Sequence, residues 1–183
     1  MPKTIETVVY TLEELYERGD SNATDRALDW MREVWSDHVV ESVTEAIDHI
    51  LTELCGGEYR PSLGRREGPI TWVEWDIYPR RVTLEGDFTP DQLDTSNFVP
   101  FPCPESVERV QLTHYGLELT MTDVNNVEED TCEELVRDWL NYLHNLLERV
   151  MVSEYEYLNS EEYLRETAAA NEYTFTAYGK RFG

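Results

Sequence analysis

Four carboxylates, Asp37, Glu41, Glu45 and Asp48, recur at steps of four, four and three residues. On a helix that spacing gathers them within an arc of about 80° and sets successive groups about 6 Å apart along the axis. Like charges so placed cost a few tenths of a kcal/mol per pair, so the row does nothing for the helix itself. Its pitch is comparable to that of phosphates along one nucleic-acid strand, and a duplex carries one charge per ~1.7 Å of axis. The chemistry open to such a row is electrostatic docking on a cationic surface. A second acidic set, Glu128, Glu129, Asp130, Glu134, Asp138 and Glu148, stands in the last third of the chain. The plainer reading of either row is a solvated helix face. Both rows are expected to face solvent without intrahelical partners, so that neutralising them leaves stability unchanged or slightly raised.

Other chemistries find less support. Glu45, Asp48 and His49 share one helix, and His144 with Glu148 shares another, but the Glu-x-x-His pattern of helix-bundle carboxylate sites is absent. His38, His49, His114 and His144 read as surface or partly buried histidines, with no metal and no cofactor expected. No Gly-x-Ser-x-Gly occurs, and Gly56, Gly57 and Gly64 form no phosphate-binding fingerprint. Cys55 precedes a Gly-Gly helix stop and reads as structural. Cys55, Cys103 and Cys132 are widely spaced and lack a Cys-x-x-Cys pair, which suits reduced thiols.

Charge dominates the composition. The 183 residues hold 38 Asp plus Glu against 15 Lys plus Arg, a formal −23. Solubility needs a net charge of only about 2 to 8, and self-repulsion on this scale opposes compaction. Residues 1–59 carry a net −10 and residues 82–183 a net −15, while residues 60–81, with Arg60, Arg65, Arg66, Arg80 and Arg81, carry +2. Two acidic segments thus flank one mildly basic patch. Direct nucleic-acid binding is disfavoured, because the rest of the chain repels phosphate. Lysine is almost absent, as in GC-rich genomes or halophiles. With 40% hydrophobic and 11% aromatic residues the chain can bury a core, and 1–183 reads as a single acidic domain. No run approaches a membrane span and the start lacks an apolar signal segment, which points to a cytoplasmic protein.

The elements that carry these residues follow from periodicity. Thr11 caps a short helix, LEELYERG. A second helix starts at Ser21–Asn22, and a third runs over 37–55 with Ser36 as N-cap and Gly56–Gly57 as stop. Pro61–Gly68 reads as an arginine-bearing loop. ITWVEWDIY and RRVTLEGDF form a hairpin about Tyr78–Pro79–Arg80, and Thr89–Pro90 starts a turn of helix. Residues 98–105 hold three prolines and stay extended, and VERVQLTHY and LELTMTD form a hairpin turning at Gly116. A long helix follows Asn125 or Asn126, with Val136, Leu140, Leu143, Leu147 and Val150 in its buried stripe, widened by Leu135, Trp139, Leu146 and Met151. A short helix opens at Ser160 and a terminal strand or hairpin closes the chain. The class is α+β: N-terminal helices, a central antiparallel sheet of about four strands, then the long helix, the short helix and the strand. Trp30, Trp35, Trp72, Trp75 and Trp139 are expected in the core.

Both ends of the chain resemble a family of small acidic phage proteins described as antitoxin-like. The residues that carry the likeness are Glu154–Tyr155–Glu156–Tyr157–Leu158–Asn159–Ser160, then Glu166–Thr167, Asn171–Glu172–Tyr173, Phe175 and Gly179–Lys180, with Thr11–Leu12–Glu13–Glu14–Leu15 at the start and Leu84–Glu85–Gly86 in the middle. The resemblance implies a viral origin and a helix–sheet–helix order, and it transfers no catalytic residue. With the charge, it leads to a phage-encoded, non-enzymatic inhibitor acting in the host cytoplasm. Its partner would be a basic host protein (a restriction, CRISPR, nuclease or repair enzyme) bound through a DNA-mimic-like surface, with homodimer formation open. The alternatives are an antitoxin-like partner of one toxin, a halophilic protein whose acidity serves solvation, and a small enzyme with a dispersed site.

Overall fold

Thr11 starts the first helix through a reciprocal pair of bonds: Glu14 N–H donates to its hydroxyl at 3.2 Å, and its own N–H donates to the Glu14 carboxylate at 2.7 Å. A computed structural model describes residues 7–60, 65–113, 116–122 and 129–182. In chain order the elements are β1 (Val9–Thr11), α1 (Leu12–Glu17), α2 (Ser21–Val34), α3 (Ser36–Cys55), β2 (Glu58–Arg60), β3 (Arg65–Glu67), β4 (Ile70–Ile77), β5 (Arg80–Phe88), a 3-10 turn (Pro90–Gln92), β6 (Val107–Thr113), β7 (Gly116–Met121), α4 (Glu129–Leu158), α5 (Glu161–Ala170) and β8 (Thr174–Thr176). Helix makes up 50% of the described residues and strand 26%, so the α+β class stands.

The chain forms two compact units, residues 1–42 with 154–183, and residues 43–153. In the first, β1 pairs antiparallel with β8, Tyr10 opposite Phe175. Leu12, Leu15, Ala27, Met31, Leu164 and Phe175 are buried together beside this ribbon. Trp30 meets Tyr173 and Phe175 edge-on, with ring centres 5.4 and 5.9 Å apart, and the Arg181 guanidinium lies over the Tyr173 ring at 4.8 Å. Ser160 caps α5, accepting from Tyr163 N–H at 3.2 Å, where the sequence places that start. The β1–β8 pairing has no counterpart in the sequence reading.

The second unit is built on an antiparallel sheet of order β4-β5-β6-β7. The two-residue turn at Tyr78–Pro79 joins β4 to β5, pairing Ile77 with Arg80. Val82, Leu84 and Phe88 of β5 and Val107, Val110 and Leu112 of β6 are buried, as are Val136, Trp139, Leu140, Leu143 and Leu147 along α4. Trp139 is the anchor of this packing. Its indole N–H donates to the Val99 carbonyl at 2.9 Å, and Phe101 stands edge-on to it at 5.3 Å and to Phe88 at 6.5 Å.

Several expectations change. Ser36 is the first residue of α3 and not its cap: α2 ends at Val34 with Trp35 as its C-cap, and the Ser36 hydroxyl donates back to the Glu33 carbonyl. The arginine-bearing stretch contains a second hairpin, β2 with β3, pairing Tyr59 with Arg66. Gly116 opens β7 instead of forming the turn. Trp72 is 44% exposed, because it and Trp75 lie three residues apart on one strand and so point to opposite faces. Trp75 is half-buried and its indole donates to the Thr44 hydroxyl at 3.2 Å. Trp30 and Trp35 are half-buried at the edge of the first unit's core. The Asn125 or Asn126 cap and His114 lie outside the described residues.

Candidate functional site

The acidic rows meet the structure residue by residue. Asp37, Glu41 and Glu45 are exposed on α3 and make no ion pair among the described residues, as the spacing predicts. Asp48, the fourth of the row, does not belong with them. Its carboxylate is bonded to Arg66, whose side chain is only 2% exposed. Arg66 reaches out of β3 to the end of α3: Nη1 also donates to the Asp48 carbonyl at 3.0 Å, and Nη2 donates to the Thr52 hydroxyl at 3.3 Å and the Gly56 carbonyl at 2.8 Å. One of these acceptors lies inside α3 and the other just past its end, so the guanidinium ties the last two turns of the helix to the residue that follows them. Burial pulls the Arg66 pKa below the usual arginine range. The expectation that all four acids are free of partners therefore fails at Asp48, and the role of that residue is structural.

On α4, Asp130, Glu134 and Asp138 are exposed, and Glu148 is half-exposed. Glu148 lies close enough to act on His144, a half-buried histidine whose pKa burial lowers. Glu128 lies outside the described residues, and the side chain of Glu129 is likewise not described. Of the arginines of the basic patch, Arg66 is buried and bonded to Asp48, Arg60 is exposed and pairs with Glu67 at 2.8 Å, and Arg65 and Arg81 are exposed. The patch thus offers less positive surface than its sequence suggests.

The outer face of the sheet adds acids that the sequence reading treated only as strand. Trp72, Glu74 and Asp76 share one face of β4, with Asp87 exposed on β5 and Glu118 on β7. Cross-strand partners are Trp72 with Glu85, Glu74 with Thr83, and Gln111 with Glu118. Asp87 is held by Arg109, which lowers its carboxyl pKa. Strict period-2 counting along ITWVEWDI would have found this face.

Among the described residues no three His, Cys, Asp or Glu side chains stand as a metal site requires. His49 lies 3.5 Å from Glu53, and His38 lies 3.3 Å from the Tyr163 hydroxyl with its ring edge-on to Trp35. Two clefts of about 340 and 330 Å³ open in the molecule. The first is lined by Leu12, Glu13, Arg165, Ala168, Glu172 and Tyr173, and of its charged groups Glu13 and Arg165 form a bonded pair. The second lies between β5–β7 and α4, with Arg137, Asn141 and His144 at its polar side, and Arg137 is bonded to Glu133. Among the described residues no helix is long and apolar enough to cross a membrane.

The class that fold and surface define is an acidic α+β protein with exposed carboxylates on α3 and α4 that make no ion pair among the described residues. No family model, curated protein or solved structure matches the chain.

Proposed function

We propose that this chain is a non-enzymatic inhibitor that occupies the cationic groove of a nucleic-acid enzyme with its acidic surface, acting as a DNA mimic. The observation that carries the reading is the exposure, without ion-pair partners among the described residues, of Asp37, Glu41 and Glu45 on α3 and of Glu134 and Asp138 on α4. The burial of Arg66 and the pairing of Arg60 with Glu67 support it too, since both reduce the free positive charge of the patch. A net −23 steers association with a basic partner, an effect that salt screens. In line with the resemblance at both chain ends, the proposed source is a phage and the proposed targets are restriction, CRISPR, nuclease or repair enzymes of the host.

The test is competition against duplex DNA for purified enzymes of these four kinds, across a salt series. A variant carrying Asp37→Asn, Glu41→Gln, Glu45→Gln, Glu134→Gln and Asp138→Asn should associate more slowly and show a flatter salt response. Equal affinity and an equal salt response in this variant would return the charge to solvation alone. The antitoxin-like reading is favoured by one observation, the exposed Trp72 ring among acids, since large aromatics anchor protein interfaces. Trp72→Ala separates the two: it abolishes binding to a toxin docked on the sheet, and it spares a groove held by the helical rows.

A further inference from the structure

The first of the two clefts lies wholly within the first unit, where α1, the end of α5 and the start of β8 meet. At about 340 Å³ it falls at the lower end of the range for small-ligand sites. Its floor is apolar, since Leu12 and Ala168 are buried there. Tyr173 forms a wall, its ring set edge-on to Trp30 and covered by Arg181. The rim carries Glu13, Arg165 and Glu172. Arg165 is committed, bonded to Glu13 and lying over the Tyr16 ring at 4.6 Å. The Glu172 side chain is exposed and has no ion pair or hydrogen bond among the described residues. Local chemistry argues against a glutamate at this position on two counts. Its φ is +53°, the left-handed conformation that closes α5: Tyr173 N–H donates to the Ala168 carbonyl at 2.9 Å, and Glu172 N–H to the Ala169 carbonyl at 3.1 Å. Glycine is the favoured residue there. The negative end of the α5 dipole also lies there, where a cation helps and an anion hurts, and the last turn of α5 holds no basic residue. A residue that breaks two local rules with no partner to offset them marks a functional position.

We propose that this cleft binds a small primary amine with an apolar body, at a site separate from the acidic helical rows. The ammonium group docks between the Glu172 carboxylate and the end of α5, supplying the cation that both lack. The body fills the space over Leu12 and Ala168, beside the Tyr173 ring. An anionic ligand is disfavoured, because the Arg165 guanidinium is held by Glu13 and the chain carries a net −23. An uncharged ligand would cover the floor and leave Glu172 unpaired. The exposed rows of α3 and α4 also attract cations, but salt screens that attraction, and the apolar floor belongs to the cleft.

The experiment is a nuclear magnetic resonance titration of the full isotope-labelled chain with n-hexylamine, n-hexanol and hexanoate at physiological salt. Hexylamine should give saturable shifts confined to amides of the cleft, Leu12, Ala169 and Tyr173 among them. Hexanol should bind about tenfold more weakly, the worth of one hydrogen bond to a charged group, and hexanoate should not bind. Glu172→Gln should bring hexylamine down to the affinity of hexanol, and Ala169→Leu, at the exposed rim, should block both. Glu172→Gly should lose the amine in the same way while raising the thermal midpoint by about 2 °C, since glycine suits the left-handed conformation and takes the anion from the helix end. The variant neutralised at Asp37, Glu41, Glu45, Glu134 and Asp138 should bind hexylamine as the wild type does, which keeps this test apart from that of the acidic rows. Equal affinity for hexylamine and hexanol, unchanged binding in Glu172→Gln, or shifts that spread along α3 and α4 without saturating overturn the inference.

Discussion

Replacing Asp48 by Asn keeps the shape of the side chain and removes the one anion that the buried Arg66 guanidinium touches among the described residues. The remaining acceptors of Arg66 are neutral: the carbonyls of Asp48 and Gly56 and the Thr52 hydroxyl. Its Nε has no partner at all. Taking one partner from a buried ion pair costs about 3–5 kcal/mol, because a charge is left behind in a poorly solvated place. Asp48 retains 23% of its side-chain exposure, so water relieves part of that, and the expected loss is about 2–4 kcal/mol. Arg66→Met removes the buried charge along with its bonds to the end of α3, and costs about 1–3 kcal/mol in unsatisfied carbonyls. The double variant should lose less than the sum of the two, with a coupling of about 1–3 kcal/mol. Chemical denaturation of the four proteins, followed by circular dichroism and tryptophan fluorescence, measures the cycle. Two compact units call for fitting the transition that reports on residues 43–153 by itself. The reasoning fails if Asp48→Asn costs under about 0.5 kcal/mol, or if the two single losses simply add.

Trp139→Ala should cost about 3–5 kcal/mol, since it empties a buried indole site and leaves the Val99 carbonyl without its donor; a loss below about 1 kcal/mol in the same denaturation assay would contradict the packing. For His144, burial lowers the folded-state pKa from the ordinary 6.5, against the smaller opposing pull of the Leu140 carbonyl and Glu148. The unfolded chain then takes up the proton first. Stability is therefore whole above about pH 6.5 and falls as the pH drops from there to the folded-state value. His144→Gln should remove that slope. The difference between wild type and variant is the proper readout, because protonating carboxylates in a chain this acidic also relieves repulsion, with the opposite sign.

The parts of the fold that were legible in the sequence are those decided within a few residues. The Thr11 cap, the Gly56–Gly57 stop, the Pro79 hairpin, the Ser160 cap and the buried stripe of α4 each rest on local chemistry. What escaped is decided across the chain. Tyr10 pairs with Phe175, and Arg66 crosses to the end of α3. Trp72 is a different case, since its parity against Trp75 was already present in the sequence and puts one of the two rings outside.

The row of acids shows why the distinction matters for function. Asp37, Glu41, Glu45 and Asp48 are equivalent by spacing, charge and helix face, and nothing local separates them. A buried arginine contributed by a hairpin more than ten residues away takes the fourth for structure. A neutralised variant that included Asp48 would lose binding by unfolding and by lost charge alike, and the two could not be told apart. Leaving Asp48 intact confines the change to carboxylates that hold nothing in place, so that any change in association rate or salt response belongs to the surface.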